Sequence, residues 1–379
     1  MDFNLKEEQQ QFADALRRWI AKDYGFDVRH RIIHSHSGVS DVAWSTLVEL
    51  GMTALPVPEE QGGFNGSAVD LWVVMQELGR GLVVEPYFAT VWGAQFLKLA
   101  GNQHHVLEEV ASGELKLAVA LGEKHSRHEL SDVKTIASIN GEGYRIDGTK
   151  TVVIHGGQAG ALIVSARSAG AQRDTNGISL FLVPADTPGV IVRDYRTIDG
   201  QRAATVQFSH VAVPASALLG KLGGGWEILD EAADYGASLL CAEAVGAMDA
   251  LFAATLDYLK TRKQFGTPIG GFQALQHRMA DMYIHLEQAR SMAMLAAARM
   301  SCGDAEERRR VVSAAKVRIG HAAKFIGQQA VQLHGGMGVT DELPAAHHFK
   351  RLTMIEMTLG DVDHHLERFT AQRGFQQHS

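Results

Sequence analysis

Glu243 is the only charged residue between Ala237 and Met248, in ASLLCAEAVGAM, and a carboxylate so isolated is the first candidate for chemistry. On a helix its neighbours at three and four residues are Leu239, Leu240, Gly246 and Ala247, an apolar and small-residue face. Burying an unpaired carboxylate is costly, so the side chain needs a task or a partner. Desolvation raises a carboxyl pKa toward the range useful to a general base; pairing with an Arg or His of a neighbouring helix is the alternative. Two other stretches combine unusual residue types. YLKTRKQFGTPIGGFQALQHRMADM, Tyr258 to Met282, reads as an αα-hairpin with a basic, aromatic and glycine-containing corner. Tyr258, Lys260, Arg262 and Lys263 close one helix, Gly266 and Pro268 break it, and Phe272, Leu275, Met279 and Met282 restart an apolar period. AVQLHGGMGVTDELP, Ala330 to Pro344, contains a glycine turn, which taken alone is only a turn.

Three regions must position these residues. From Phe3 to about Ser112 the pattern is helical, with one stripe at Leu5, Phe12, Leu16 and Ile20 and another at Val42, Trp44, Leu47, Val48 and Leu50. A glycine-rich loop, Ala54 to Ser67, interrupts it, and the helix from Val69 to Leu82 is loosened near its end by Gly79 and Gly81. Between Leu115 and about Pro214 the period changes to strands: LKLAVAL, TIASI, GYRIDGTKTVVI, ALIVSAR, ISLFLV, VIVRDY and AATVQF, with Asp147-Gly148 as a hairpin signal. From Trp226 four long helices are expected, Trp226 to Lys263, Phe272 to Ser301, Ala305 to Leu333 and Pro344 to Arg373, as an antiparallel bundle. The fold class is α+β multidomain: a helical N-terminal domain (1–114), a middle β-barrel or sandwich domain (115–222) and a C-terminal four-helix bundle (223–379). The Ala- and Met-rich face ARSMAMLAAARM suits close core packing.

At 379 residues the chain can bury sizeable cores, and its 46% hydrophobic and 21% charged fractions are those of an ordinary globular protein. A net charge of −7 offers no basic field to nucleic acid. The acidic start MDFNLKEEQQQF is not a secretory signal, and no uninterrupted apolar run reaches the length of a membrane span. Cys241 and Cys302 read as reduced packing residues, and the expected location is the cytoplasm. Asp361, Asp363, His364 and His365 in GDVDHHL form a polar helix end rather than a metal site.

RKQFGTPI…FQ…H…ADM resembles the RxxFGxPI…FQ…H…ADM signature of the acyl-CoA dehydrogenase family of flavoproteins, and QLHGGMG resembles that family's QxxGGxG segment. The resemblance covers essentially the whole chain and weakens in the middle. It implies the three-domain fold above, FAD held partly across a subunit interface, and oxidation of an acyl-CoA thioester at its α and β carbons in fatty acid metabolism. An FAD pyrophosphate wants a fixed guanidinium and free backbone N–H groups. By resemblance Arg262 supplies the first, Gln264 and Phe265 lie beside the cofactor, and Gln332, Gly335 and Gly336 form a close-approach loop, since a residue without Cβ lets the backbone reach a phosphate or ribose edge. An electron-transferring flavoprotein is the implied electron acceptor.

The base departs from the family pattern. The glutamate that most members carry near the C-terminus corresponds to Leu359 in Leu359-Gly360-Asp361, and the base of a second branch corresponds to Gly236; neither residue takes a proton. Glu243 is the remaining candidate, on nearly the same helix face as Gly236 but about 10 Å further along; Glu356 is the next. The family's Thr-Glu-Pro segment appears as Gly122-Glu123-Lys124 with His125 to Asp132 following, and its Trp-Ile-Thr as Val152-Val153-Ile154, so the hydroxyl expected near the flavin is absent. These departures together resemble the pimeloyl-CoA dehydrogenase small-subunit type, and similar chains work in α2β2 tetramers. The resemblance therefore implies a homo-tetramer or an α2β2 hetero-tetramer, and an alternative role as a non-catalytic or site-completing subunit.

Overall fold

The computed structural model describes residues 5–372. The helical start expected at Phe3 and the helix end expected at Arg373 lie outside them. The helices are α1 (Glu7–Asp23), α2 (Phe26–Ile33), α3 (Asp41–Glu49), α4 (Ala68–Arg80), α5 (Tyr87–Ala100), α6 (His104–Ala111), α7 (Trp226–Thr261), α8 (Gln273–Arg299), α9 (Ala305–His334), α10 (Pro344–Met357) and α11 (Val362–Thr370). Two compact units result. Among the described residues the first gathers residues 5–30, Ala68–Val83 and residues 237–372; the second holds Arg31–Ser67 and Val84–Gly236. Division by contact thus differs from linear division at 114 and 222, because α4 packs against both α1 and α8.

In the first unit α1 buries Gln9, Ala13, Leu16 and Trp19, spaced three and four apart, while Phe12 and Ile20 are only half-buried. Helices α8 and α9 turn small residues to the core, Ala289, Ala293, Ala296 and Ala297 against Ala315, Ala322, Ala323 and Ala330. Gly79 does not loosen its helix. It lets α4 meet α7: a Cβ on Gly79 would stand 2.1 Å from the Glu243 carbonyl oxygen, and one on Gly246 would stand 1.7 Å from that of Gln76. Beside this crossing runs a ladder of alternating charge. Arg17 pairs with Glu77 at 2.7 Å, Glu77 with Arg80 at 3.1 Å, Arg80 with Asp249 at 2.5 Å and Asp249 with Arg290 at 3.1 Å, joining α1, α4, α7 and α8.

The last expected helix is two. It breaks between Met357 and Val362, where Leu359 (φ 57°) and Gly360 (φ 106°) are left-handed and the Asp361 side chain caps α11 by accepting from the His364 amide. Glu243 and Asp249 interrupt the apolar stretch of α7, so no uninterrupted apolar run there reaches the length of a membrane span, as expected. Helix α7 has a window of mean hydropathy 1.6, long and apolar enough by composition to cross a membrane. Its apolarity is accounted for by burial inside the fold, 67% of that window.

In the second unit α3 buries Ala43, Trp44 and Leu47 but leaves Val42 79% exposed, so the expected stripe is shifted. All seven expected strands form: β1 (Leu117–Ala120), β2 (Ile136–Asn140), β3 (Gly143–Ile154), β4 (Ala161–Arg167), β5 (Ile178–Pro184), β6 (Val190–Arg196) and β7 (Arg202–Pro214), with a short β8 (Leu218–Leu219). They make one sheet ordered β6-β7-β3-β2-β4-β5-β8, and β1 runs parallel beside β4. Its strands share one core, with Ile146, Val164, Phe181, Val206 and Phe208 fully or almost fully buried. Asp147-Gly148 is not a hairpin. The pair lies inside β3 at a bulge, because Gly148 (φ 156°) passes Thr135 where a Cβ would stand 2.4 Å from its Oγ1. The hairpin turn is Gly141-Glu142, closed by the Asn140–Gly143 pair with Gly141 at φ 60°.

Two outcomes follow from this packing. Gly246→Ala is expected to destabilise the chain by at least about 1–3 kcal/mol, since the clash is with backbone, and a melting curve reads it. Burial holds His348 down to about 3 and His365 to about 2, and burial also lowers His347. His348 and His365 stay neutral in the fold, while in the unfolded chain they bind protons below about pH 6.5. Stability is therefore full above that pH and falls as pH drops through it, by up to about 1.4 kcal/mol per pH unit for each group. Melting temperatures from pH 8 to pH 5 check this, and His348→Leu should make the slope shallower.

Candidate functional site

Helices α7 and α9 end together. The Tyr258 and His334 rings lie 4.6 Å apart at 30°, so the Arg262 corner and the glycine turn, far apart in sequence, come to one end of the bundle. The corner is a small antiparallel ladder, β9 (Lys263–Gln264) with β10 (Thr267–Pro268). At its tip Phe265 (φ 54°) is 91% exposed and its ring meets Phe272 edge-on at 6.1 Å. Arg262, Gln264, Gln332, Gly335 and Gly336 are all exposed. Among the described residues the Arg262 guanidinium makes no ion pair. Gly335 adopts φ 62°, ψ −142°, a region nearly closed to other residues, and nothing within 4 Å would meet a Cβ on it or on Gly336. The glycines therefore serve the backbone path and its open approach, not packing within the chain.

Glu243 is elsewhere in the same unit and is 4% exposed. It has the partner that the alternative to catalysis requires. Arg351 of α10 donates from Nε to one carboxylate oxygen at 2.6 Å and from Nη2 to the other at 2.7 Å. This corrects the expectation of an unpaired carboxylate: the guanidinium occupies both of its oxygens. Glu356 is also engaged, its Oε1 accepting from the Val362 amide at 3.0 Å.

The turn that carries Leu359 is strongly held. The buried Lys316 ammonium donates to the carbonyls of Ile355, Glu356 and Thr358 at 2.9, 3.3 and 2.8 Å, satisfying the end of α10. His365 Nε2 donates to the Leu359 carbonyl at 2.8 Å, so Asp361 and His365 of GDVDHHL are structural. Burial lowers Lys316 to about 8 although Cys241, Glu356 and Asp361 oppose the shift. Cys241 is buried as expected, its thiol pushed up to about 12.

In the second unit, Glu123 of Gly122-Glu123-Lys124 is buried against Lys150, which donates to it at 2.8 Å and also to Leu121 O and Ser165 Oγ. Burial raises Glu123 and lowers Lys150, to about 8; for Glu123 the Lys150 charge and the Thr135 amide outweigh burial and the net shift is down. His125 meets Asp132 at 2.9 Å, and Asp132 also holds Gln172 and Arg173. Val152, at φ 52° and 57% exposed, is strained for a β-branched residue. Sequence reasoning missed Arg351, Lys316 and Lys150; Lys316, in the largely apolar VVSAAKV, carries the signal that singled out Glu243, while Arg351 follows Lys350 and shows none.

An unpaired guanidinium at the same end of the bundle as an open glycine backbone is a donor set that fits an anionic dinucleotide such as FAD on the Arg262 side. Three profiles of one family match: the acyl-CoA dehydrogenase N-terminal domain at residues 6–114, the middle domain at 118–211 and the C-terminal domain at 223–372. The short-chain specific acyl-CoA dehydrogenase of Bos taurus mitochondria is 30% identical over 82% of this chain and 77% of its own length. A probable acyl-CoA dehydrogenase of Bacillus subtilis, YngJ, is 29% identical over 98% and 99%. The ChsE4-ChsE5 complex of Mycobacterium tuberculosis includes a chain of similar structure, with a TM-score of 0.87, 26% identity and 97% coverage of both. On these matches the chain belongs to the acyl-CoA dehydrogenase family of FAD-dependent oxidoreductases.

Proposed function

We propose that this chain acts in the α,β-dehydrogenation of an acyl-CoA thioester: a base takes the Cα proton, hydride leaves Cβ, and the product is the 2-enoyl-CoA. The observation that carries the reading is the meeting of the Tyr258 and His334 rings, which brings the Arg262 corner and the Gly335–Gly336 turn to one end of the bundle. When bound, FAD supplies the two-electron acceptor for the hydride. In this reading the Arg262 guanidinium pairs with the pyrophosphate, Gln264 and Gln332 offer amides to its edges, Phe265 covers it, and Gly335 and Gly336 admit it to the backbone. The reading places the activity in the cytoplasm, in fatty acid metabolism, with an electron-transferring flavoprotein as acceptor.

Within this reading Glu243 holds α7 to α10 and does not take the proton, because abstracting it would require giving up Arg351 inside the core. With Leu359 and Gly236 at the two familiar base positions, a second reading gains support: the chain completes the site of a companion subunit in an α2β2 tetramer, of the pimeloyl-CoA dehydrogenase small-subunit type. The similarity to a chain of the ChsE4-ChsE5 complex agrees with it.

A visible spectrum of the purified chain, then anaerobic titration with a panel of acyl-CoA thioesters, separates the two. A flavin spectrum that one thioester bleaches establishes a self-sufficient dehydrogenase; a colourless chain, or a yellow one that no thioester reduces until a companion is added, establishes the second reading. Glu243→Gln is expected to cost about 3–5 kcal/mol in stability by leaving Arg351 buried without its counter-charge. Replacing both, Glu243→Leu with Arg351→Met, should recover most of that loss in a urea titration. A Glu243→Gln protein as stable as the parent but no longer bleached by substrate would return Glu243 to the role of base.

A further inference from the structure

His334 closes α9 with its side chain turned back on the helix, Nδ1–H donating to the Ala330 carbonyl at 2.8 Å, and this bond sets the ring plane. The ring is almost fully buried and lies against Tyr258. The glycine turn folds back over the same residue: a Cβ on Gly338 would stand 2.5 Å from the Val331 carbonyl oxygen and 3.1 Å from His334 Cβ. Both ring partners sit next to the residues assigned to the dinucleotide. The Arg262 amide donates to the Tyr258 carbonyl at 2.8 Å, one helical turn away, and His334 immediately precedes Gly335.

We infer that Tyr258 and His334 are positioning residues that set the spacing between the Arg262 guanidinium and the Gly335–Gly336 backbone, and through it the affinity for FAD. The inference rests on the proposed reading of that site. Neither side chain needs to touch the cofactor. Each ends the helix that delivers one half of the cradle, and the contact between them is the short route by which the two helix ends are held in register. The Tyr258 hydroxyl adds little, since its contact with the His334 carbonyl is 3.5 Å.

The test uses the full-length chain in the assembly in which it purifies, stripped of flavin and titrated with FAD while flavin fluorescence is followed. His334→Ala and Tyr258→Ala should each raise Kd about tenfold, while Tyr258→Phe, which keeps the ring, stays within about twofold. Ile326→Ala, a buried α9 change about two helical turns before His334, is the control that lowers the melting temperature without moving Kd. Unchanged Kd in both alanine variants, or an equal rise in Ile326→Ala, overturns the inference. Parent protein that takes up no FAD overturns the functional reading instead. Amide hydrogen exchange at residues 262–266 then decides the positioning: faster in His334→Ala supports it, and unchanged exchange overturns it.

Discussion

At Gly79 and Gly246 two helices touch backbone to backbone, and this crossing of α4 and α7 constrains the rest of the first unit. A side chain at either glycine would separate the helices by roughly a methyl group's diameter and move the charges arranged beside them. Arg80 and Asp249, each three residues beyond one of the glycines along its chain or next to it, close the ladder that runs from Arg17 to Arg290. Glu243, three residues before Gly246, reaches Arg351 on α10. Because α7 is one continuous helix to Thr261, fixing it at this crossing also fixes where the Arg262 corner emerges.

The unit carries several buried cations and balances them in three ways. Arg351 has a carboxylate. Lys316 has carbonyls, the orphan acceptors at the end of α10, so one side chain is satisfied and one helix terminus capped by the same three bonds. Arg29 adds a third solution. It donates to the Leu82 carbonyl at 2.8 Å and to His347 Nδ1 at 3.0 Å. A guanidinium only donates, so Nδ1 accepts and the imidazole proton sits on Nε2, which donates to the Asp341 carbonyl at 2.9 Å. His347 is thereby held neutral beside a permanent cation. The histidines are part of the charge balance, and their protonation would undo it.

Much of this was legible in the sequence for identifiable reasons. The seven strands announce themselves as β-branched runs between turn residues, and the Arg262 corner and QLHGGMG turn are recognisable because their residue types are rare in combination. What was misread is equally instructive. Asp147-Gly148 has the composition of a hairpin turn, but the requirement that decided it was clearance over Thr135, a non-local neighbour. Gly79 looked like a weak point in a helix and is a point where α4 meets α7 backbone to backbone. The final helix has a continuous apolar period, and its break at Leu359 depends on Lys316 and His365, which lie far away or beyond it in sequence.

The sequence alone determined that Glu243 is a lone acid on an apolar face, that the chain alternates helical, stranded and helical regions, and that its two signature blocks are those of an acyl-CoA dehydrogenase. These follow from local composition and period, which a single strand of text contains. Tertiary structure alone decided that Glu243 belongs to Arg351, more than a hundred residues on, and that Tyr258 meets His334 so that the two blocks share one end of the bundle. The physical reason is that a buried charge is defined by its partner, and a cradle by the distance between its halves; both are relations between helices, which periodicity along one helix does not encode.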